Sequence, residues 1–380
     1  MKFFEDIKLQ SLKDDQIVCG DIFLCERTLD STVFVLCDGI GSGVYANIAA
    51  ITCANRLLEL MRKGVSFLAA CDTVAESMHQ ARKGEFPYSA FSIAKILKDG
   101  HYTVYTFESP SPILIKDGIA YALQPVFHST GQEEIGESSG LLNIGDSLIL
   151  LSDGIIQAGI GRGYAPGVGE SKVAEFVNYH LKHNCDIYEI PGEIMKMSLD
   201  NSGGRCEDDL SIAVLYCREA MQLAVLTGPP SSRSKDGEFV KRFVSLPGTH
   251  IICGSSTADI AARELHKKMV EVSGPAWYGA VPEYVIEGVD MVTEGALVLN
   301  QVYNILGENP DQLTGSSVAE RVCAHMHQAD VITFLIGNAL NTAHSSLAFK
   351  QIGVQPRHLI VRHIAEKLKL MGKLVVEEHY

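Results

Sequence analysis

A chain of 380 residues carrying 46% apolar residues is too long for one hydrophobic core and apolar enough to build two. Its net charge of −14, with no block of Lys or Arg, argues against nucleic acid and against anionic lipid as partners. Its start lacks a basic segment leading into a long apolar one, and no uncharged apolar run reaches about 18 residues, so a cytoplasmic protein with no signal peptide and no membrane helix is expected.

The first half reads as strands, two helices, more strands, two helices and a last strand. Residues 16–26 and 32–38 alternate as strands about a turn at Leu29-Asp30-Ser31. From Val44 to Lys63 apolar residues recur at spacings of three and four, which is helical; Gly64 stops that helix and a second runs to about Lys83. Strands follow at 88–98, 101–107, 112–116 and 119–123, with hairpin turns at Lys98-Asp99-Gly100 and Lys116-Asp117-Gly118. Helices at 171–183 and 187–200 precede a strand at 210–217. Two sheets back to back with helix pairs outside accommodate this order.

Acidic residues recur at the edges of these strands. Asp38-Gly39-Ile40-Gly41-Ser42-Gly43 follows the run Val33-Phe34-Val35-Leu36-Cys37. Ser147-Leu148-Ile149-Leu150-Leu151-Ser152 ends in Asp153-Gly154, Asp208-Asp209 leads into Leu210-Ser211-Ile212, and Gly20-Asp21 lies upstream. Any one Asp-Gly reads first as a turn. Four strand-edge Asp residues, Asp21, Asp38, Asp153 and Asp208, make a hard oxygen donor set of the kind Mg²⁺ and Mn²⁺ prefer.

In this order the motifs resemble the metal-dependent protein phosphatase (protein phosphatase 2C-like) family, and within it the stage II sporulation protein E branch, over residues 1–217. The matching pieces are Gly20-Asp21, the turn from Asp38 to Gly43, the run from Gly145 to Gly154, and Asp208-Asp209-Leu210-Ser211. Glu108-Ser109-Pro110-Ser111-Pro112 stands where the family carries a Gly-His-Pro-Pro-Pro-like hairpin. The resemblance implies an αββα sandwich and a site with two Mn²⁺ or Mg²⁺ ions. Asp38 would bridge them, Asp21 and the Gly39 carbonyl would serve one, and Asp153 and Asp208 the other. Asp209 would hold a water beside the ions, and water would attack the phosphoryl group directly, with no phospho-enzyme. The substrates implied are phosphorylated regulatory proteins, dephosphorylated at serine or threonine.

The first domain is expected to cover 1–218 and a second, α/β domain with a mostly parallel sheet 219–380. Strands at 221–226, 249–253, 283–289, 331–336 and 373–377 alternate with helices at 238–246, from 257 to about Val272, 294–306, 317–328 and 356–371. Ser256 to Asp259 has the spacing of a capping box. The turn Gly254-Ser255-Ser256-Thr257 is a candidate anion site, since strand–loop–helix turns open on the edge where ligands bind and helix N-termini favour anions. Plain helix capping is the simpler role for it. His325, His327 and His344 are read as surface or packing residues before a metal cluster, and Glu287-Gly288-Val289-Asp290 with Glu294 as a solvated segment. The Gly-rich stretch from Gln157 to Gly169 is a loop beside the acidic turns, or a flap over substrate.

The ten cysteines are scattered without a Cys-x-x-Cys pair, and several lie inside apolar runs, as reduced buried thiols do. None opens a phosphate-binding loop ending in Arg, and there is no Gly-x-Ser-x-Gly, so thiol and serine nucleophiles are both disfavoured. Two other readings compete with the phosphatase: a silent phosphatase-fold binding module, and a ligand sensor whose second domain is the main functional unit. A homodimer stays open in all three.

Overall fold

The computed structural model describes residues 1–41, 43–163, 167–272, 283–339 and 354–380. The chain divides into two units, Met1–Glu219 and Ala220–Tyr380.

The first unit runs β1 (Lys2–Ser11), β2 (Ile22–Arg27), β3 (Ser31–Gly39), α1 (Gly43–Arg62), α2 (Phe67–Lys83), β4 (Ser89–Leu97), β5 (His101–Phe107), β6 (Ile113–Lys116), β7 (Ile119–Ala122), β8 (Val126–Thr130), β9 (Glu133–Leu141), β10 (Ser147–Leu151), α3 (Asp153–Ile156), α4 (Gly169–Lys182), α5 (Ile190–Asn201) and β11 (Leu210–Glu219). These strands form two antiparallel sheets, ordered β1-β11-β10-β6-β7 and β2-β3-β4-β5-β9-β8. The apolar runs are unbroken because both faces of their strands are buried. Val33, Val35 and Cys37 pack under α1 and α2, while Phe34 and Leu36 face the other sheet. Likewise Ile212 and Val214 pack under α4 and α5, while Ala213 and Leu215 meet Phe34, Leu148 and Leu150 between the sheets. The result is an αββα sandwich.

Local reading of the sequence departs from this unit in two ways. Residues 16–21 form a turn, not the start of a strand, with Asp15 in the left-handed region at φ 65°. Strands β1, β8 and β9 carry too few buried side chains to show an apolar pattern, and β1 and β8 are sheet edges.

The second unit runs β12 (Gln222–Thr227), α6 (Asp236–Ser245), β13 (Thr249–Cys253), α7 (Ser255–Glu264), β14 (Met269–Glu271), β15 (Glu283–Ile286), β16 (Met291–Thr293), α8 (Ala296–Ile305), α9 (Val318–Gln328), β17 (Val331–Ile336), α10 (Arg357–Leu370) and β18 (Leu374–His379). Its sheet is ordered β14-β15-β16-β13-β12-β17-β18. The five strands from β16 to β18 are parallel, and β14 and β15 extend one side antiparallel. Leu223 and Val225 pack with α8, α9 and α10 on one face; Ala224 and Leu226 pack with α6 and α7 on the other. This is a doubly wound α/β unit.

Two expectations are corrected here. The helix expected to reach Val272 ends at Glu264, because His266 turns to φ 55° and the chain re-enters the sheet at Met269. The capping box at Ser256 does not form: Gly254 is the N-cap, and no side chain caps α7. Ser256 therefore lies in the first helical turn, one residue past the helix start.

Among the described residues, no helix is long and apolar enough to cross a membrane.

Candidate metal centre

Three glycines show how closely the acidic turns of the first unit converge. A Cβ on Gly39 would lie 2.0 Å from the Ala46 carbonyl oxygen, so only glycine lets α1 close over the end of β3. A Cβ on Gly20 would lie 2.9 Å from Asp209 Oδ2 and 3.4 Å from the Gly39 carbonyl oxygen. One on Gly154 would lie 2.4 Å from the Asp209 carbonyl oxygen and 3.3 Å from Asp208 Cβ. Turns separated by up to 189 residues in sequence are thus stacked on one another.

Asp209 ties two of them together. Its carboxylate accepts the Lys13 amide at 2.9 Å and the Gly20 amide at 2.8 Å, which fixes the 13–20 turn, and with it Asp21, to the start of β11. On the opposite side the Ser152 hydroxyl donates to the Asp209 carbonyl at 3.3 Å and accepts the Ser211 amide at 2.9 Å, which sets Asp153 at the start of α3. Gln157 Nε2 donates to Asp153 Oδ2 at 2.9 Å.

The acids themselves repel. Burial, and after it the charges of Asp21 and Asp153, push the Asp38 carboxyl up to about 10, and the close approach of Asp153 adds to this. Burial first pushes Asp21 up to about 7; Asp209 and Asp153 add to this, and the Ser211 hydroxyl opposes it. Asp21 is only 2% exposed, and its Oδ2 has no hydrogen-bond partner among the described residues. Asp208 is the most open, its side chain 45% exposed; burial and Asp153 raise it, and Lys13 Nζ, 3.7 Å from Oδ1, lowers it.

A divalent cation fits this chemistry. The donors are hard oxygens, one buried carboxylate oxygen is without a partner, and the charges need cancelling. The carboxylates are, however, engaged with one another, with Gln157 and with Lys13. Among the described residues no group of three or more His, Cys, Asp or Glu side chains is arranged so that it could hold a metal ion as it stands.

Sequence reading named Asp21, Asp38, Gly39, Asp153, Asp208 and Asp209, and the structure brings them together in the first unit. It did not single out Lys13, Ser152, Ser211 or Gln157. The Ser residues stand inside the quoted motifs, but Lys13 reaches the acids only through the fold. Of the Gly-rich loop, 164–166 lie outside the described residues; Arg162 pairs with Glu207 at 2.8 Å, next to Asp208. Of the turn expected at Gly254-Ser255-Ser256-Thr257 in the second unit, only Gly254 lies between β13 and α7, as the N-cap, while Ser255, Ser256 and Thr257 form the first helical turn. His325 and His327 lie in the last turn of α9, and His344 lies outside the described residues.

An αββα sandwich with acidic turns at its strand ends is the fold of the PP2C-type phosphatases. The family description "Stage II sporulation protein E (SpoIIE)" matches residues 29–218, half of the chain, and the protein belongs to that family. Solved structures similar to it include the PP2C phosphatase domain with a fragment of the regulatory domain of the cell fate determinant SpoIIE from Bacillus subtilis, at 17% identity and a TM-score of 0.47. That match covers 57% of this chain and 62% of the other, so this chain spans less than two thirds of that relative. The RsbU and RsbW domains of Rv1364c from Mycobacterium tuberculosis match at 18% identity and a TM-score of 0.48, over 75% of this chain and 80% of that one. RsbX in complex with magnesium matches at 17% and 0.41, over 57% and 100%. No curated protein matches.

Proposed function

We propose that the first unit is a metal-dependent phosphatase that removes phosphate from serine or threonine of a regulatory phosphoprotein in the cytoplasm. Membership of the SpoIIE family supports the class. The observation that carries the reading is the stacking of four buried or half-buried strand-edge carboxylates around Gly20, Gly39 and Gly154, whose mutual repulsion a bound cation would cancel.

In this reading Asp21, Asp38, the Gly39 carbonyl, Asp153 and Asp208 hold two Mn²⁺ or Mg²⁺ ions. Such a pair supplies an acidified water and a clamp for the phosphoryl oxygens. The remaining work belongs to the chain. Asp209 holds the 13–20 turn in place through two amides. Ser152 and Gln157 orient Asp153, and the Ser211 hydroxyl steadies Asp21. Lys13 brings positive charge to the rim, where a phosphoryl dianion would arrive. The second unit has a regulatory or docking role in this reading.

The test is phosphate release from a phosphoserine peptide by the full chain, with and without Mn²⁺, alongside Asp38→Ala. Activity should require the ion and fall more than about 100-fold in the variant, since even partners outside the ligand shell are worth about 10–100-fold. Unchanged turnover in Asp38→Ala would remove the site assignment.

One observation favours a second reading. The acids do not stand ready to bind an ion, as a silent phosphatase-fold binding module would also have it. No turnover with any metal, together with no heat on Mn²⁺ titration, would select that module. Mn²⁺ binding without turnover would instead select an enzyme awaiting its partner.

A further inference from the structure

The second unit carries a cavity of about 240 Å³ at the C-terminal edge of β12, β13 and β16. Its walls come from the three turns that leave those strands, and from Arg357 at the start of α10. Two ten-residue helices begin there, α7 at Ser255 and α8 at Ala296, and their N-caps are Gly254 and Gly295, which have no side chain to satisfy the first-turn amides. The one acid at the wall, Glu294, accepts the Gly295 amide at 3.1 Å.

Two further groups line the same cavity, each with a buried donor atom that has no partner among the described residues. Thr257 is fully buried on its wall, and its Oγ1 makes no hydrogen bond among the described residues. A buried hydroxyl in that state loses about 1–3 kcal/mol relative to a satisfied one, so it is expected to serve something. Arg357 is the second. Its guanidinium lies directly on Gly228, where a Cβ would stand 2.0 Å from Cζ. One terminal nitrogen donates to the carbonyls of Gly337 at 2.7 Å and Ala339 at 3.2 Å, while Nε has no partner among the described residues. Among the described residues no carboxylate offsets the burial of this cation, and desolvation lowers its pKa.

We propose that this cavity binds a small phosphate monoester, its phosphoryl group held between the first turn of α7, the Thr257 hydroxyl and Arg357. Amides, a hydroxyl and a guanidinium converging from different elements offer more donors than a carboxylate can accept and suit a tetrahedral oxyanion. Glu294 also lines the cavity and would accept from a hydroxyl of the ester. The volume is below the roughly 300–1,000 Å³ of drug-sized pockets, which selects a ligand the size of a sugar phosphate over a dinucleotide.

The experiment is calorimetry on the full chain carrying Asp38→Asn, in EDTA, so that the first unit contributes no phosphate binding of its own. The probes are inorganic phosphate and ribose 5-phosphate, with ribose as the uncharged control. The expected result is saturable binding of both phosphate probes and none of ribose. Affinity should fall about tenfold or more in Thr257→Val and in Arg357→Gln, the loss of one charge-assisted or buried hydrogen bond. Thr257→Ser, which keeps the hydroxyl, should restore it, and circular dichroism melts establish that each variant folds. Absence of saturable binding by either phosphate probe up to about 10 mM, where a Kd would be weaker than any specific site needs, would overturn the proposal. So would binding that Thr257→Val and Arg357→Gln leave unchanged.

Discussion

The first unit gathers acids at the ends of its strands, and the second gathers hydrogen-bond donors at the ends of its own. Asp21, Asp38, Asp153 and Asp208 crowd one edge, and the groups beside them are largely donors spent on holding them: two amides on Asp209, Gln157 on Asp153, Lys13 near Asp208. In the second unit the corresponding edge has one acid at its wall, Glu294, and a guanidinium, a hydroxyl and uncapped helix starts face it. The contrast follows from topology. Parallel strands that feed helices place helix N-termini along one edge, so backbone dipoles make that edge positive. In the first unit helices also start beside this edge, at Gly43 after β3 and at Asp153 after β10, but the four carboxylates of the turns outweigh those two dipoles, so the character of the edge is set by the side chains of the turns. The same structural position, a strand end, is therefore suited to a cation in one unit and to an anion in the other.

Loss of a support should damage the acidic edge most. Asp209→Ala removes the acceptor of two amides that join the 13–20 turn to β11. Phosphate release is expected to fall about 10–100-fold, as for groups that orient ligands without touching the substrate, and urea unfolding should show a loss of about 1–3 kcal/mol from the unsatisfied amides. If turnover survives while stability falls, Asp209 holds the fold and not the site.

Gly39→Ala tests the packing that brings the acids together. Its Cβ would meet the Ala46 carbonyl oxygen at 2.0 Å, with backbone on both sides, so neither can yield cheaply. A loss of about 1–3 kcal/mol or more is expected in denaturant melts. A substitution without effect on stability would mean that α1 does not close on the strand end as described.

Replacing one titratable group should change stability with opposite signs at the two edges. In metal-free protein Asp38→Asn takes away a buried carboxyl that its neighbours repel, and is expected to raise stability by about 1 kcal/mol, seen as a higher melting temperature. The same variant should lose the rise in melting temperature that Mn²⁺ gives the unsubstituted chain, because an ion stabilises only the state that binds it. Arg357→Gln should instead lower stability by about 1 kcal/mol, since the guanidinium donates to two loop carbonyls that water does not replace. Equal signs for the two variants would erase the contrast between the edges.

The sequence made the acidic motifs and the central strands legible for the same reason: strands buried on both faces must be apolar throughout, and a turn that ends one with Asp-Gly is conspicuous. What it did not show were the edge strands. β1 has only Phe3 and Phe4 buried among ten residues, and its place against β11 depends on a partner about 200 residues away. Nor could it show that Asp209 reaches Gly20 or that Arg357 lies on Gly228, because those contacts exist only once distant turns are stacked. The short β16, three buried residues between polar neighbours, gave no period to read. The capping box at Ser256 misled for a related reason: spacing alone fits a cap, but Gly254 at φ 131° starts the helix earlier.

The smallest effect is expected at Cys37, one residue before Asp38 on β3. Its side chain is fully buried under α1, beside Cys53, and burial pushes the thiol well above its ordinary range. A thiol that does not ionise is neither nucleophile nor metal ligand. Its side chain also points away from the strand end, since Val33, Val35 and Cys37 share the helix-facing side of β3. Cys37→Ala should therefore lower stability by about 1 kcal/mol through a small cavity and leave phosphate release within about twofold of the unsubstituted chain. A folded Cys37→Ala protein without turnover would move the reaction from the acids to the thiol, and with it the reason for placing a cation at this edge.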